Sequence, residues 1–353
     1  MTAAAVSSQL LSIPKTFKEF TIFLLNILHD MYNGVNTVVM NVQYKVRDYK
    51  EKPLIIGTRG SPLAVAQAEE TRNRLMSAHE LPKTAFVINI IETTGDLIQD
   101  RPLSEIGGKG LFTFEIEESL ANGAIDIAVH SMKDMPTVLP DGLMISTILQ
   151  REDVRDSFVS RKYKNISELP DGCTVGTSSL RRRAQLLVRR PDLNIVEFRG
   201  NVQTRLRKLD DGVAEATFLA CAGLSRLNLT DLINPVGVNE MLPAVAQGAI
   251  GIEQKSDNEQ IRDFLKPIHH RKTELQLLVE RSFLSELDGS CRTPIGGLAE
   301  IEEDTVTFYG EILKPDGSKK FKGIWTGDVS EAVKIGQNAG LQLKEKGGEG
   351  FFK

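Results

Sequence analysis

The chain has 353 residues, 41% of them hydrophobic and 25% charged, the balance of an ordinary globular protein. Its net charge of −4 excludes a polyanion binder that works through bulk charge alone. Its three cysteines, Cys173, Cys221 and Cys291, are too far apart for a disulfide framework or a zinc site; they fit a reducing compartment, and no metal is expected.

Residues 1–52 read as a leader or extension. They carry Thr, Ser and Lys, but also Glu19, Asp30, Asp48 and Glu51, and transit peptides are poor in acids. A targeting leader and a partly helical extension both fit. The longest apolar run, near Phe20 to Leu28, falls short of the roughly 18–20 residues a membrane span needs, so no membrane partner is expected.

From Pro53 onward strand and helix signals alternate. Leu54 to Ile56 is an apolar run, Gly57 to Gly60 turns, and Ser61 with Pro62 opens a helix that runs to about His79. Phe86 to Ile91 reads as a strand, Thr113 to Ala121 as a helix stopped by Asn122-Gly123, and Ile125 to Val129 as a buried strand that ends at His130-Ser131. A second unit starts near Arg155. It has strands at Cys173 to Val175, Leu193 to Phe198 and Thr217 to Ala220, and helices at Leu180 to Arg190 and Asn201 to Leu209. Gly57-Thr58-Arg59-Gly60-Ser61 before Ala66-Gln67 is echoed by Gly176-Thr177-Ser178-Ser179 before Ala184-Gln185, which reads as one architecture used twice. Two open α/β lobes bind ligand in the crevice at their strand carboxyl ends. The remainder holds a helix (Thr273 to Leu287), a polar loop with Cys291, an alternating stretch from Glu300 to Glu311, a turn at Pro315-Asp316-Gly317 and a helix from about Val329 to Lys346. The expected fold class is therefore α/β: two similar lobes plus a small C-terminal α+β domain. The expected bounds are 53–150 with 248–267, then 151–247, then 268–353.

Arginine placement is the most informative chemical signal. Nine arginines fall between positions 181 and 226, and Arg59 sits at the equivalent turn of the first lobe. Guanidinium forks and the helix N-termini expected at Ser61 and Ser178 suit a ligand with several anionic groups. Arg181, Arg182, Arg199 and Arg205 flank turns at strand ends and are expected to bind it. Arg183, Arg189, Arg190 and Arg207 read as a solvated helix surface. In His130-Ser131-Met132-Lys133-Asp134-Met135-Pro136, Lys133 can pair with a carboxylate, and Asp134 could stabilise a developing cation or relay a proton; a structural Lys–Asp pair is the plain alternative. His130 reads as a packed, hydrogen-bonded histidine. Cys291 lies in Gly289-Ser290-Cys291-Arg292, where a neighbouring arginine can activate a thiol, or the cysteine can be inert. Gly107 to Leu111 lacks the full phosphate-loop spacing and reads as a lid, and Phe112 beside it could stack on a flat ring or belong to the core.

Together these segments resemble the porphobilinogen deaminase family across nearly all of Pro53 to Lys353. The motifs follow the family's order: Ile56 to Ala64, Gly107 to Phe112, His130 to Pro136, Gly176 to Arg182, Phe198 to Leu206, Leu242 to Ala249 and Gly289 to Gly296. The resemblance implies lobes like those of periplasmic binding proteins and a transferase of tetrapyrrole, haem and chlorophyll biosynthesis. Four porphobilinogen molecules would be joined head to tail, with loss of ammonia, on a dipyrromethane primer held through a thioether by Cys291, and hydroxymethylbilane then released by water. Asp134 would assist ammonia loss and stabilise the resulting azafulvene-like cation. Lys133, Ser61, Ser131, Thr177, Ser179, Arg181, Arg182 and Arg205 would hold the primer's acetate and propionate arms. Arg59 and Arg199 would orient the incoming pyrrole, Phe112 would lie over the site, and Arg151 and Arg226 are second-rank candidates for the growing chain. A monomer is implied. Ser290 and Ala246 stand where bacterial members often have glycine. With Arg292-Thr293 they resemble plant or plastid forms and imply a plastid address, with the cytoplasm as the alternative. Gln254 and Met135 also depart from common versions.

Two other readings compete. A non-catalytic polycarboxylate-binding clamp would need the arginines but not Cys291. A nucleic-acid binder would need stacking aromatics, yet aromatics are only 6% and none interrupts Arg181 to Arg190.

Overall fold

The computed structural model describes Tyr49 and residues 51–97, 112–289 and 293–352. The first lobe comprises β1 (Leu54–Arg59), α1 (Pro62–His79), β2 (Phe86–Ile91), α2 (Thr94–Leu97), α3 (Phe114–Ala121), β3 (Ile127–Ser131) and β4 (Leu143–Ile148). The chain then crosses to β5 (Asp156–Ser160), β6 (Thr174–Gly176), α4 (Leu180–Arg189), β7 (Asn194–Val196), α5 (Val202–Asp210), β8 (Ala216–Ala220) and α6 (Cys221–Arg226). It crosses back to β9 (Ile250–Lys255) and α7 (Glu259–Leu265), and ends in α8 (Arg271–Glu286), β10 (Ile295–Glu302), β11 (Thr305–Leu313), β12 (Lys320–Asp328) and α9 (Ala332–Gly347).

The first sheet has the order β2-β1-β3-β9-β4 and the second β5-β8-β6-β7. Their cores match. In each, a strand (β1 or β6) lies parallel between its two successors, and an antiparallel strand follows on the far side (β9 beside β3, β5 beside β8). That antiparallel strand always arrives from a crossover. The echo in the sequence is therefore an echo in topology, down to one glycine in each lobe. A Cβ on Gly57 would lie 2.3 Å from Ile125 Cδ1, and one on Gly176 would lie 2.3 Å from the Phe198 ring. In both lobes a large side chain crosses the first strand at this point, and only glycine leaves room for it.

The third sheet is an antiparallel meander, β10-β11-β12, covered by α8 and α9. Phe283 and Phe308 meet edge to face in its core at 4.9 Å, and that core also takes in Met132 and Met135 from the first lobe. Glu280, fully buried on α8, is the joint of the molecule. It accepts hydrogen bonds from both Arg151 Nη atoms (2.7 and 3.0 Å), Ala246 N (2.6 Å) and Ala299 N (2.9 Å). One carboxylate thus pins both crossovers and the third sheet. Ala246 holds φ +61°, a region that favours glycine.

The sequence reading differs from the structure in places. Gly57 to Arg59 continues the first strand instead of turning. Glu300 to Glu311 is not one strand; it folds as a hairpin that reverses at Glu303, where φ is +50°. No helix among the described residues is long and apolar enough to cross a membrane.

Candidate functional site

β3 is buried until Ser131, and the chain then closes a single tight turn, Met132 to Asp134, with Met135 N donating to Met132 O at 3.3 Å. Met132 and Met135 are core residues, 2% and 4% exposed. With both ends of the turn anchored inward, Lys133 and Asp134 between them reach the cleft, Asp134 on the exposed side. Ser131 is fixed from α1, because Gln67 Nε2 donates to its Oγ at 2.8 Å. Ser61 caps α1, its Oγ accepting from Ala64 N at 3.3 Å. Arg59, Ser61, Gln67, Phe112, His130, Ser131 and Asp134 share the walls of one small cavity of about 70 Å³. There the Arg59 guanidinium lies over the Phe112 ring, 4.1 Å from its centroid, and its Nε and Nη2 bind the Asp96 carboxylate. Burial raises the Asp96 pKa, but the bond and charge of Arg59, helped by the Thr93 hydroxyl, hold it below the usual range.

The second lobe presents its cations from two helix starts. Ser179, not Ser178, caps α4, accepting from Arg182 N; Ser178 Oγ instead accepts from Phe198 N at 2.9 Å. Thr177 is buried, and its Oγ1 accepts from Ser179 N. Arg181 and Arg182 therefore fall in the first turn of α4, where the helix dipole disfavours cations. Asp156, at the start of β5, answers both. Its Oδ2 accepts from Arg181 Nη2 at 2.7 Å, and its Oδ1 from Arg182 Nε and Nη2 at 3.1 and 2.6 Å. Despite burial, these two guanidiniums hold its pKa far below the carboxylate range. Arg181 also donates to Leu242 O and Arg182 to Phe218 O. Both are buried, 4% and 5% exposed, with much of each guanidinium committed inside the lobe. Arg181 Nε nevertheless has no hydrogen-bond partner among the described residues.

Arg205, on α5 behind the Asn201 cap, donates Nε to Gly200 O at 2.9 Å. Burial, then repulsion from Arg182 and Arg199, lowers its pKa to about 10 against the attraction of Asp134. Burial likewise pulls Lys133 down; Asp134 and Asp156 oppose this and Arg182 and Arg181 add to it. Lys133 thus lies within reach of the charges of Arg181 and Arg182, and Arg205 within reach of those of Asp134, Arg182 and Arg199. Cations outnumber carboxylates there, which suits a ligand with several carboxylate arms.

Other candidates stand elsewhere. Arg151 is tied to Glu280. Arg226 bridges the lobes on another face, donating to Glu70 Oε2 (2.9 Å) and Gly248 O (3.2 Å) and lining a groove with Arg74, Glu152 and His270. Arg183, Arg189 and Arg207 are exposed, and Arg190 pairs with Asp192. His130 is buried, its Nε2 3.0 Å from Glu253 Oε2. Cys173 and Cys221 are buried thiols, and burial pushes Cys221 up to about 12. Cys291 and the Gly107 to Leu111 loop lie outside the described residues, as do residues 1–48. Asp96, Asp156 and Gln67 organise the site but were not singled out from sequence as site residues. Only Gln67 left a trace, through its echo in Gln185, which holds Leu242 by two hydrogen bonds.

A two-lobed α/β clamp that brings several cations and the exposed carboxylate of Asp134 to its strand ends suits a small ligand with several anionic groups. The chain belongs to the porphobilinogen deaminase family: residues 54–263 match the model described as "Porphobilinogen deaminase, dipyromethane cofactor binding domain" and 275–345 its C-terminal domain. A porphobilinogen deaminase of Paracoccus denitrificans is 56% identical over 303 residues, 86% of this chain and 97% of that one. One from Nitrobacter winogradskyi is 52% identical over 298 residues, 84% and 94% of the two chains. A solved VFT2 domain of Bordetella pertussis BvgS overlaps 65% of this chain and 91% of its own at 15% identity, with a TM-score of 0.37.

Proposed function

We propose that the chain joins four porphobilinogen molecules head to tail, with loss of ammonia, on a dipyrromethane primer bound covalently to Cys291, and frees hydroxymethylbilane by hydrolysis. The enzyme is a transferase with a dipyrromethane cofactor. The observation that supports the residue assignment is that the charge of Asp134, on the first lobe, acts on Arg205 of the second, while Arg182 and Arg181 of the second act on Lys133 of the first. Each pyrrole brings an acetate and a propionate, so a growing chain needs an excess of cations over carboxylates.

The residues present fit such a primer. Burial disfavours the bare cations of Lys133 and Arg205, which anionic arms would relieve, and Arg181 Nε is buried without a hydrogen-bond partner among the described residues. Each guanidinium has five N–H donors, so Arg181 and Arg182 keep donors for carboxylate arms while Asp156 fixes their planes. Ser61, Ser131, Thr177 and Ser179 supply hydroxyls at the same strand ends. When bound, the primer supplies an electron-rich pyrrole carbon as nucleophile. Arg59, held by Asp96, binds a carboxylate arm of the incoming porphobilinogen, and Phe112 covers its flat ring; Arg199 takes the second arm. Asp134 stabilises the cation that develops as ammonia leaves and can accept the proton lost when the new bond forms. The buried, high-pKa thiols Cys173 and Cys221 are poor nucleophiles, which supports Cys291 as the point of attachment.

The test is an intact mass spectrum of the wild type and Cys291→Ser. The wild type should carry the added mass of two linked pyrroles and the variant none, and porphobilinogen should build a ladder of single-pyrrole steps. An unmodified wild type without a ladder would turn the reading to a binding clamp.

The finer points belong to the same reading. The domain bounds expected from the sequence are to be checked by limited proteolysis, and a monomer by sedimentation. A plastid address and a role in chlorophyll formation rest on Ala246, Ser290 and Arg292-Thr293, whereas the relatives named above are bacterial. Imaging of the tagged full chain decides between plastid and cytoplasm.

A further inference from the structure

We infer that Arg281, on α8 of the third domain, is a positioning residue for Asp134. The inference deepens the proposed function and rests on its assignment of Asp134. Arg281 donates Nη2 to Pro136 O at 2.6 Å and Nη1 to Met135 O at 3.3 Å, the two carbonyls that follow the Met132–Asp134 turn. Among the described residues its hydrogen bonds go to these carbonyls alone, and no carboxylate pairs with it. Arg281 is partly buried, and like Arg205 it bonds backbone carbonyl oxygen, whereas Arg151 answers Glu280 and Arg181 and Arg182 answer Asp156. Burial depresses the Arg281 pKa with no charged neighbour offsetting it. For packing alone a methionine would serve better, because a buried cation without a counter-charge is costly.

The geometry around Arg281 explains what it does instead. Leu277 and Leu284 lie one helical turn to either side of it, on the same face of α8. Both belong to the core that takes in Met132 and Met135. The two methionines seat the turn in that core, and Met132 N donates to Ala249 O at 3.0 Å at its entry, so what remains to be fixed is its exit. A planar fork on two consecutive carbonyls fixes the peptide planes at the exit of the turn, and with them the direction of Asp134. α8 thus holds the exit of the turn that carries the catalytic carboxylate. Sequence alone offers no sign of this, since 145 and 146 positions separate Arg281 from its two acceptors.

The experiment compares R281M and R281K with the wild-type full-length holoenzyme, reading primer mass, kcat and KM for porphobilinogen. R281M should retain the primer and a near-normal KM while kcat falls about tenfold to a hundredfold, the scale of a small misplacement of a reacting group. R281K, which keeps one cationic donor, should fall between R281M and the wild type. A folded R281M with wild-type kcat, or a loss carried by KM, overturns the inference. If R281M does not fold, R281K decides: kcat lowered several-fold at unchanged KM supports the role, and wild-type kcat overturns it. A wild type without primer or product sinks the proposed function instead, so the two failures are distinguishable.

Discussion

The Arg59 guanidinium lies over the ring of Phe112, 4.1 Å from its centroid, while its edge binds Asp96. A cation–π contact of this kind contributes about 0.5–2 kcal/mol. Phe112→Leu should therefore lower kcat/KM for porphobilinogen by about threefold to thirtyfold. Steady-state kinetics check this, and an unchanged kcat/KM would show that the ring is only a wall.

Asp156 is the sole carboxylate that Arg181 and Arg182 bind among the described residues. Asp156→Asn leaves two buried cations without a counter-charge and should cost about 3–5 kcal/mol in urea unfolding. The sign with pH follows. The Asp156 pKa is depressed in the fold, so its stabilisation is full above the unfolded value of about 4 and is lost as pH falls below it. The difference between the two proteins should hold constant from pH 6 to about 4 and begin to shrink below that, most of it persisting at pH 3 because the folded pKa lies far lower.

Glu117 behaves in the opposite way. It lies buried near His130 and Glu253, its Oε1 without a hydrogen-bond partner among the described residues, and burial, with the Glu253 charge, raises its pKa against the opposing Thr113 hydroxyl and His130. A raised carboxyl favours the folded state at low pH, and that advantage is lost as pH climbs from the unfolded value through the folded one. Glu117→Gln should thus match or exceed the wild type in Tm at pH 8 and lose that advantage near pH 4. A variant less stable at pH 8 would show that the charge is needed.

The paired glycines offer a graded comparison. Gly176→Ala drives a methyl into the body of the Phe198 ring and should cost about 1–3 kcal/mol. Gly57→Ala meets mainly the terminal Cδ1 of Ile125, which can swing aside, and should cost less. Equal losses in chemical denaturation would mean that Ile125 is as fixed as the ring.

Local chemistry was legible in the sequence, and long-range pairing was not. The helix Pro62–His79 carries its own cap and N-terminal proline, and Phe86–Ile91 is a compact run of β-formers bounded by breakers, so both were readable. β9 is nearly wholly buried, so although 248–267 is expected to belong to the first lobe, its residues carry no strand signal of their own. The alternation from Glu300 to Glu311 runs through a hairpin because the tight reversal at Glu303 uses no glycine or proline. The cleft arginines were visible by their position after strand ends. The burial of two of them was hidden, because Asp156 sits 25 positions before Arg181 and only the sheet brings them together.

The order of the first sheet also governs how the chain is made. β4 touches that sheet only through β9, which leaves the ribosome about a hundred residues later. In that interval the whole second sheet, from β5 to β8, is synthesised and can close by itself. The lobe that begins first therefore finishes second. Until β9 arrives, the edges of β3 and β4 stand open, a template for wrong pairing in any nascent chain that stalls there.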